Sequence, residues 1–428
     1  MNLAQKLRQL FGEEAVAADE PSRIAHSGDK WFATHQPDVV VFAQTTEQVS
    51  RLLRFASENK IPVTPRGSGF GYVGGCVPVQ GGIALSLARM NRIKEISFDD
   101  AIAIVEPGVI TGELQGAVRA QKLFYPPDPA SLHDCSIGGN VATNAGGPRC
   151  LKYGVTRHYI IGLFVGSEGL LGVVTEITVR LLPLPPARAT LSAAFASLAQ
   201  AAAAVQTIFA AGFLPSALEI ADHFTLEAAR LDRGTAIVPE GNAHLLIDVD
   251  GQPESVRSEA DALRALLESK NPNALATATT EEGSEKLWAL RREFSNSLRA
   301  TGLTKLNEDI VVPRGRLVEL IEFAADLQAR HDFPIATFGH AGDGNLHVNL
   351  MAADYDDPAV RERVEQALDE LFTQVLAWGG VITGEHGIGL AKKRWWHEAT
   401  SDVARALHAR IKQALDPLDI LNPGKFVG

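Results

Sequence analysis

A glycine-rich run directly after a short strand restricts the fold of this chain more than any other feature. Residues 61–65, Ile-Pro-Val-Thr-Pro, predict a strand, and residues 66–75 read Arg-Gly-Ser-Gly-Phe-Gly-Tyr-Val-Gly-Gly. Three of these glycines match the spacing of a Rossmann dinucleotide site, but that site requires a helix immediately after them. Residues 76–82, Cys-Val-Pro-Val-Gln-Gly-Gly, are unsuited to begin a helix because they contain proline and paired glycines. The run therefore predicts a loop of consecutive backbone amides that can hold a pyrophosphate without a helix dipole.

A second run of small residues follows in the same half of the chain. Residues 124–131, Phe-Tyr-Pro-Pro-Asp-Pro-Ala-Ser, lead into residues 136–147, Ser-Ile-Gly-Gly-Asn-Val-Ala-Thr-Asn-Ala-Gly-Gly. Small residues let the backbone approach a flat ligand closely. The alternative is a flexible surface loop, but the paired prolines and Asn-Ala-Gly-Gly favour a shaped turn. Two such loops predict a large, phosphate-bearing cofactor.

Two short motifs in the C-terminal half indicate a metal centre. Residues 339–347 read Gly-His-Ala-Gly-Asp-Gly-Asn-Leu-His, and residues 384–389 read Gly-Glu-His-Gly-Ile-Gly. The Gly-Asp-Gly turn predicts a hairpin in which His340 ends one strand and His347 begins the next. Two histidines and a carboxylate suit zinc, iron or manganese and leave coordination positions open for a substrate. The alternative is two unrelated turns whose histidines bind nothing.

Composition excludes several classes of function. A chain of 428 residues with 46% hydrophobic residues is long enough for two or three globular domains. A net charge of −11 argues against binding to nucleic acid. Cys76, Cys135 and Cys150 form neither a disulfide framework nor the four-thiolate set of an iron–sulfur cluster. Residues 1–11 predict an amphipathic surface helix rather than an export signal, so we expect a cytoplasmic protein.

The pattern of elements predicts an α+β fold. Residues 1–186 alternate short strands with helices and carry both glycine-rich runs, and prolines at 183, 185 and 186 mark a boundary. Residues 187–375 predict a second domain with an antiparallel sheet: a strand, an alanine-rich helix, a strand at 244–249 and a helix at 254–268. Residues 376–428 are expected to fold back onto the first domain. The uncharged stretch 191–213 is expected to contain a helix capped by Ser197 and ended at Gly212, not a membrane span.

These motifs resemble those of FAD-linked 2-hydroxy-acid oxidoreductases of the vanillyl-alcohol-oxidase type. Within that type the resemblance is to glycolate oxidase FAD subunits, D-lactate dehydrogenases and D-2-hydroxyglutarate dehydrogenases. The matching segments occur in the family's order over nearly the whole chain: Pro65–Gly75, Pro127–Ser131, Ser136–Gly147, Lys152–Arg157, Phe164–Glu176, Gly339–His347, Gly384–Gly389 and Asn422–Lys425. The resemblance implies a two-subdomain FAD-binding domain, an antiparallel-sheet substrate domain and a C-terminal helical segment that packs on the FAD-binding domain.

The resemblance also assigns roles to individual residues. It implies a metal at His340, His347 and Glu385 and a base at His386. Arg291 corresponds to the arginine that holds the substrate carboxylate, with Lys305 as a weaker candidate and Ser295 one helical turn beyond Arg291. It implies FAD contacts at Pro65, Arg66, Gly67, Ser68, Gly69, Phe70, Gly71, Gly74, Gly75, Pro127, Asp128, Ser131, Ser136, Gly138, Gly139, Asn140, Ala142, Asn144, Gly146, Tyr153, Gly154, Glu168, Gly169, Val174 and Asn422. Covalent members carry a histidine in the first loop, and Phe70 and its neighbours offer none, so FAD is expected to be non-covalent.

The implied activity is oxidation of D-lactate or glycolate to the 2-oxo acid, with hydride passed to FAD. Electrons are expected to leave to an external acceptor such as an iron–sulfur subunit, which could hold the protein at a membrane surface, and a homodimer is compatible with the sequence. D-2-hydroxyglutarate is an alternative substrate. Oxidation of an aldehyde, alcohol or sugar lactone is disfavoured by the metal motif, and a non-catalytic, flavin-poor remnant is a further alternative.

About thirty residues that such relatives carry are missing from this chain. Relatives continue from Tyr-Gly-Val-Thr-Arg through a β-hairpin and a helix, whereas in this chain residues 158–163 lead straight into Phe164–Gly169. Loss of that segment would expose the apolar surface it covered, at about 25 cal/mol per Å², yet the flanking residues show no compensating change. We therefore expect the natural protein to carry a segment between Leu163 and Phe164 that this sequence lacks. A true deletion would weaken FAD binding.

Overall fold

The computed structural model of the chain describes residues 1–160 and 165–427. The junction between Leu163 and Phe164 lies outside these residues, so what the sequence indicates about it stays a prediction.

The helices are distributed along the described residues and range in length from 4 to 20 residues. They are α1 (Leu3–Phe11), α2 (Glu20–Ala25), α3 (Thr46–Asn59), α4 (Thr111–Arg119), α5 (Ile137–Thr143), α6 (Cys150–Tyr153), α7 (Leu198–Ala210), α8 (His223–Arg233), α9 (Pro253–Glu268), α10 (Glu281–Ala300), α11 (Leu317–His331), α12 (Pro358–Ala377), α13 (Trp396–Ala399) and α14 (Asp402–Leu415).

The strands are short in the N-terminal part and longer in the middle of the chain. They are β1 (Val16–Ala17), β2 (Val39–Phe42), β3 (Val63–Arg66), β4 (Ile83–Ser86), β5 (Ile93–Ser97), β6 (Ile102–Val105), β7 (Leu123–Phe124), β8 (Ile177–Arg180), β9 (Leu182–Pro183), β10 (Ala187–Phe195), β11 (Ala217–Ala221), β12 (Ala243–Gly251), β13 (Ala274–Ala278), β14 (Thr304–Val311), β15 (Ile335–His340) and β16 (Asn345–Ala352).

The first of two compact units comprises Met1–Gly146, Val155–Leu184 and Glu385–Gly428. Its described residues form three small sheets, of orders β1-β2-β4-β3, β5-β6-β8 and β7-β9. The strands β2, β4 and β3 are parallel because α3 connects β2 to β3. Val49, Leu52 and Ala56 of α3 are buried in the apolar core of the first sheet. This arrangement fits the two-subdomain domain that the sequence predicts.

The C-terminal segment completes the first unit. The carbonyl of Ile420 accepts from the amide of Val63 at 2.7 Å, and the amide of Asn422 donates back to the Val63 carbonyl at 2.8 Å. Lys412 of α14 is 5% exposed. Its Nζ donates to the carbonyls of Leu170 (3.1 Å) and Leu421 (2.7 Å) and to the carboxylate of Asp416 (2.6 Å). The predicted return of the C-terminal segment to the N-terminal part of the chain is therefore confirmed.

The second unit comprises Gly147–Gly154 and Pro185–Gly384. Its seven-stranded sheet has the order β13-β10-β12-β11-β15-β16-β14. Every pairing in it is antiparallel, as the sequence predicts. Helix α10 lies on one face of this sheet, where its Trp288 Nε1 donates to Asp248 of β12 at 3.0 Å.

The alanine-rich stretch folds as expected. Strand β10 ends at Phe195, and the side chain of Ser197 accepts from the amide of Gln200 at the start of α7. Gly212 follows the helix with φ of +85°, which suits glycine at a helix end. Within the described residues, no helix is long and apolar enough to cross a membrane.

Two local predictions are wrong. Residues 136–147 are not a loop throughout, because Ile137–Thr143 forms α5. Its Ser136 cap accepts from Gly139, Ile137 and Val141 are buried, and Asn144 ends it in the left-handed conformation, so caps and burial overcome the low helix propensity of glycine. The second error is the omission of β11 and α8, which lie between the alanine-rich helix and the strand at 244–249.

The buried lysine of α14 gives a test of how the C-terminal segment is held. We expect Lys412→Met to lower the free energy of unfolding by about 3 kcal/mol, because it leaves Asp416 buried without its cation. Lys6→Met, on the exposed side of α1, is the control and should change stability by less than about 0.5 kcal/mol. Urea unfolding measures both, and equal stability of the two variants would contradict the anchoring role.

Candidate functional site

The first glycine-rich loop follows β3 in the first unit and is held at its far end by two distant side chains. One carboxylate oxygen of Asp29 accepts from the amide of Gly75 at 3.1 Å, and the other accepts from the amide of Trp31 at 2.9 Å. The side-chain amide of Asn422 donates to the carbonyl of Gly75 at 2.8 Å. Burial raises the pKa of Asp29 to about 6. The loop is therefore a fixed structure that needs both neighbouring segments.

The middle of this loop presents backbone amides. Among residues 1–160 and 165–427, no hydrogen bond engages the amides of Ser68, Gly69 and Phe70. Gly69 has φ of +76°, and a Cβ atom there would overlap the guanidinium of Arg66. Consecutive amides of this kind form an anion-binding concavity. The loop therefore fits the pyrophosphate of a dinucleotide.

The two glycine-rich segments lie against each other in the first unit. A Cβ atom on Gly67 would overlap Oγ of Ser136 and would lie 3.6 Å from the amide nitrogen of Gly139. Of the remaining predicted contacts of this unit, Gly138, Asn140 and Ala142 lie in α5, and the others lie in loops: Pro127, Asp128, Ser131, Asn144, Gly146 and Val174. Glycine at 67 therefore permits the close approach of the two segments.

Glu168 connects this region to the Gly-Glu-His-Gly motif. Its carboxylate accepts from the amides of Ile388 and Gly389, each at 2.8 Å, and its carbonyl accepts from the Asn422 side chain at 2.7 Å. Burial raises the pKa of Glu168 to about 7. Gly169 follows, where a Cβ atom would lie 3.2 Å from Cγ of Pro65. Predicted cofactor residues from three separate segments thus meet.

The motif itself contacts both glycine-rich segments. Oε2 of Glu385 accepts from the amide of Gly146 at 3.1 Å. The ring of His386 is stacked on Tyr72 with centroids 5.1 Å apart. Of the predicted cofactor residues, Tyr153 and Gly154 belong instead to the second unit, where the Tyr153 hydroxyl donates to Asp250 at 2.8 Å.

In the second unit, His340 and His347 face each other across a hairpin. His340 ends β15 and His347 lies near the start of β16, and their ring centroids are 5.5 Å apart. Gly344 in the turn has φ of +82°, and a Cβ atom there would overlap the carbonyl of Val312. The hairpin that the glycines predict is therefore present, and it brings the two histidines together.

Glu219 of β11 joins one of these histidines to the predicted substrate arginine. Its Oε1 is 2.6 Å from Nδ1 of His340, and its Oε2 accepts from Nε of Arg291 at 2.6 Å. Burial raises the pKa of this carboxyl, but the charges of His340 and Arg291 outweigh it and bring the pKa of Glu219 to about 2. The sequence reasoning missed Glu219. The available signal was a single acidic residue inside the apolar run Ala-Leu-Glu-Ile-Ala.

The two predicted substrate-binding cations flank one aromatic ring. The guanidinium carbon of Arg291 lies 5.0 Å from the ring centroid of Phe338, and Nζ of Lys305 lies 5.6 Å from it. Nζ of Lys305 donates to Oγ of Ser295 at 2.8 Å, so the third predicted residue is adjacent as well. Burial lowers the pKa of Lys305 to about 7, and the charges of two nearby arginines add to this effect.

Asp309 of β14 fixes the last residues of the second unit. Its carboxylate accepts from the side chains of Asn345 (2.6 Å) and Thr383 (2.9 Å) and from the amide of Gly384 (2.8 Å). Gly384 thus lies beside Asn345, the first residue of β16. Glu385 is the next residue in the chain. Asp309 was also missed, because its partners are remote in sequence.

Comparison with protein families identifies the class of the chain. The family described as FAD linked oxidases, C-terminal domain, matches residues 184–426, and the FAD binding domain family matches residues 37–167. This chain belongs to the FAD-linked oxidase family. It is therefore an FAD-dependent oxidoreductase, as the sequence predicts.

Individual relatives cover almost the whole chain. Glycolate oxidase subunit GlcD of Bacillus subtilis is 37% identical over 457 residues, covering 99% of this chain and 96% of that protein. D-lactate dehydrogenase of Anaerostipes hadrus is 31% identical, and the alignment covers 99% of this chain and 97% of that protein. The structure of p-cresol methylhydroxylase shares the fold, with a TM-score of 0.79 at 18% identity, and covers 99% of this chain and 96% of that one. The predicted fold class is confirmed.

The first of these alignments bears on the length of the chain. It extends over 457 positions, whereas this chain has 428 residues, so at least 29 of its positions have no counterpart in this chain.

The contact between the two glycine-rich segments leads to a prediction about FAD. We expect Gly67→Ala to weaken FAD binding about tenfold or more, because the added methyl group overlaps Ser136 and overpacking costs about 1–3 kcal/mol. Gly116→Ala in α4 is the control, since a Cβ atom there meets nothing within 4 Å. The ratio of bound flavin to protein after dialysis measures the effect. Full flavin retention by Gly67→Ala would contradict this, because it would show that FAD binding does not require the close approach of the two glycine-rich segments.

Proposed function

We propose that this chain oxidises a small 2-hydroxy acid, D-lactate or glycolate, to the corresponding 2-oxo acid. The observation that carries this proposal is the carboxylate of Glu219, which contacts both His340 and Arg291 at 2.6 Å. In a 2-hydroxy acid the hydroxyl and carboxylate groups are on adjacent carbon atoms. A protein that binds both must place a group for the hydroxyl next to a cation for the carboxylate. The names of the relatives, glycolate oxidase subunit and D-lactate dehydrogenase, support this substrate class.

FAD would be held by the first unit. The amides of residues 68–70 would bind its pyrophosphate, and the contact between Gly67 and Ser136 would shape the surface for its flat ring system. When bound, FAD supplies the acceptor for the two electrons and the hydrogen that leave the substrate carbon. We propose non-covalent binding through the residues that the sequence indicates.

A divalent metal, zinc, manganese or iron, would be held by His340, His347 and Glu385. Two observations support this fit. The histidine pair lies on one rigid hairpin, and Asp309 fixes Gly384, which directly precedes Glu385, beside that hairpin. The donor set of two nitrogens and one carboxylate suits these metals. A bound metal would lower the pKa of a substrate hydroxyl group.

His386 would accept the proton of the substrate hydroxyl. Its ring is held by stacking on Tyr72, so the imidazole has a fixed orientation in the first unit. Arg291 and Lys305 would bind carboxylate oxygens. In the absence of substrate, Lys305 is mostly a cation below a pH of about 7 and mostly neutral above it, because burial lowers its pKa to about 7. A bound carboxylate favours the protonated form of this lysine.

The proton-accepting role leads to a direct test. We expect His386→Ala to lower the rate of flavin reduction by D-lactate or glycolate by about 10²- to 10⁴-fold while FAD and metal stay bound. His397→Ala, an exposed histidine of α13, is the control and should react at the wild-type rate. Stopped-flow absorbance and metal analysis give the readouts. A variant that loses its metal but keeps its activity would mean that the roles of Glu385 and His386 are exchanged.

The position of Lys305 beside Arg291 favours D-2-hydroxyglutarate as the alternative substrate. Arg291 alone would satisfy the single carboxylate of D-lactate, and Lys305 adds a second cation beside the same ring of Phe338. A dicarboxylate such as D-2-hydroxyglutarate could use both cations. Comparison of kcat/KM for D-lactate, glycolate and D-2-hydroxyglutarate decides between them. A flavin that none of these acids reduces would contradict the proposed reaction.

Electrons would leave through a partner or a diffusible acceptor rather than NAD. The three cysteines cannot hold an iron–sulfur cluster, and the first loop does not form a Rossmann site. The Bacillus subtilis relative is named as a subunit, which supports a partner subunit for this chain. We propose that this partner carries the iron–sulfur acceptor that the sequence resemblance implies. We expect the purified protein to reduce a redox dye during turnover and to leave NAD unchanged. Rapid, stoichiometric formation of NADH would contradict this.

A further inference from the structure

Glu219 is a buried carboxylate whose two oxygens serve two different residues of the second unit. It lies in the middle of β11, is 1% exposed, and its position pairs with His340 of β15 in the sheet. Oε1 contacts Nδ1 of His340 and Oε2 contacts Nε of Arg291, which comes from α10 above the same sheet. A full negative charge at such a depth is costly unless each oxygen is paired.

The contact with His340 determines which ring nitrogen can bind a metal. A carboxylate can only accept, so Nδ1 of His340 carries the proton and donates it to Glu219. In the neutral ring the lone pair is then on Nε2. A metal requires that lone pair, and carboxylate-to-histidine hydrogen bonds fix metal-binding imidazoles in this way.

The contact with Arg291 determines the orientation of the guanidinium. Its Nε edge is used by Glu219, and the group lies over the rings of Phe338 and Phe294, at 5.0 Å and 5.8 Å from their centroids. In the described part of the chain, no hydrogen bond engages its two terminal nitrogens. These form the end of the guanidinium that binds a carboxylate in a bidentate manner.

We propose that Glu219 is a positioning residue of the 2-hydroxy-acid site: one carboxylate that directs Nε2 of His340 to the metal and the terminal nitrogens of Arg291 to the substrate carboxylate. This inference rests on the proposed function. If Glu219 had only a structural role, its loss would change stability and leave metal affinity unchanged. Buried ion pairs contribute little net stability, and such a role does not account for the contact with His340.

Glu219→Gln tests the positioning role at the level of metal binding. Glutamine has one acceptor oxygen and one NH₂ donor group, so it cannot accept from both partners. With its oxygen accepting from Arg291, its NH₂ group donates to Nδ1 of His340. This favours the tautomer with the proton on Nε2, in which Nε2 has no lone pair for a metal. We expect zinc affinity to fall about 10- to 100-fold, with bound FAD unchanged because Glu219 lies in the second unit.

Asp248→Asn is the matched control. Asp248 of β12 is also 1% exposed and accepts from Arg188 (2.7 Å), Thr190 (2.6 Å) and Trp288 (3.0 Å), none of which belongs to the proposed site. This variant removes a buried carboxylate from the same sheet and should leave zinc affinity unchanged. Glu219→Asp keeps the charge beside Arg291 but is too short for both contacts, and we expect it to lower zinc affinity as well. Glu219→Asp replaces Glu219→Gln as the test variant if Glu219→Gln does not fold.

Arg291→Lys tests the two contacts of Glu219 separately. It keeps a cation for Oε2 of Glu219 and so leaves the contact of Glu219 with His340 in place, but it removes the bidentate end of the guanidinium. Zinc affinity should therefore stay near wild type while KM for the hydroxy acid rises. Competition with a zinc indicator and steady-state kinetics measure these effects. Wild-type zinc affinity in both Glu219 variants, or an equal loss of zinc affinity in Asp248→Asn, would overturn the positioning role of Glu219 and leave the proposed function standing. A wild-type protein that binds no divalent metal would overturn the metal-dependent function and this inference together.

Discussion

The buried carboxylate of Glu219 holds together three of the polar residues of the second unit: itself, His340 and Arg291. Glu219 is buried away from solvent, so its position depends on His340 and Arg291, and theirs depends on it. Because the three residues come from β11, β15 and α10, the contacts form only when the sheet has its correct register and α10 lies on the correct face. The same interactions that complete this part of the fold therefore also align the residues to which we assign chemistry.

The parts of the structure that sequence reasoning predicted are those with local causes. The hairpin between His340 and His347 follows from the Gly-Asp-Gly turn, and the start of α7 follows from Ser197. The loop after β3 was separated from a Rossmann turn because a proline and paired glycines follow it. Each of these conclusions depends on residues within one or two turns of the feature, which is the range over which backbone preferences act.

The parts that sequence reasoning missed depend on contacts between remote segments. Glu219 and His340 are 121 positions apart, and Glu168 and Ile388 are 220 positions apart. No periodicity in a single sequence shows that such residues meet. Helix α5 was missed for a related reason: its glycines disfavour a helix locally, and the buried side chains of Ile137 and Val141 compensate only after the surrounding unit has formed.

The chain order of the two units has a consequence for synthesis. The second unit ends at Gly384, whereas the first unit is complete only when Glu385–Gly428 has been made, because Ile420 and Leu421 belong to its apolar core and pair with Val63. A growing chain emerges from its N-terminus. The N-terminal third must therefore wait, partly folded, until residues 385–428 have left the ribosome. Premature termination near residue 400 would leave the seven-stranded sheet whole and the sheet of β1, β2, β4 and β3 without the pairing of Val63 with residues 420–422.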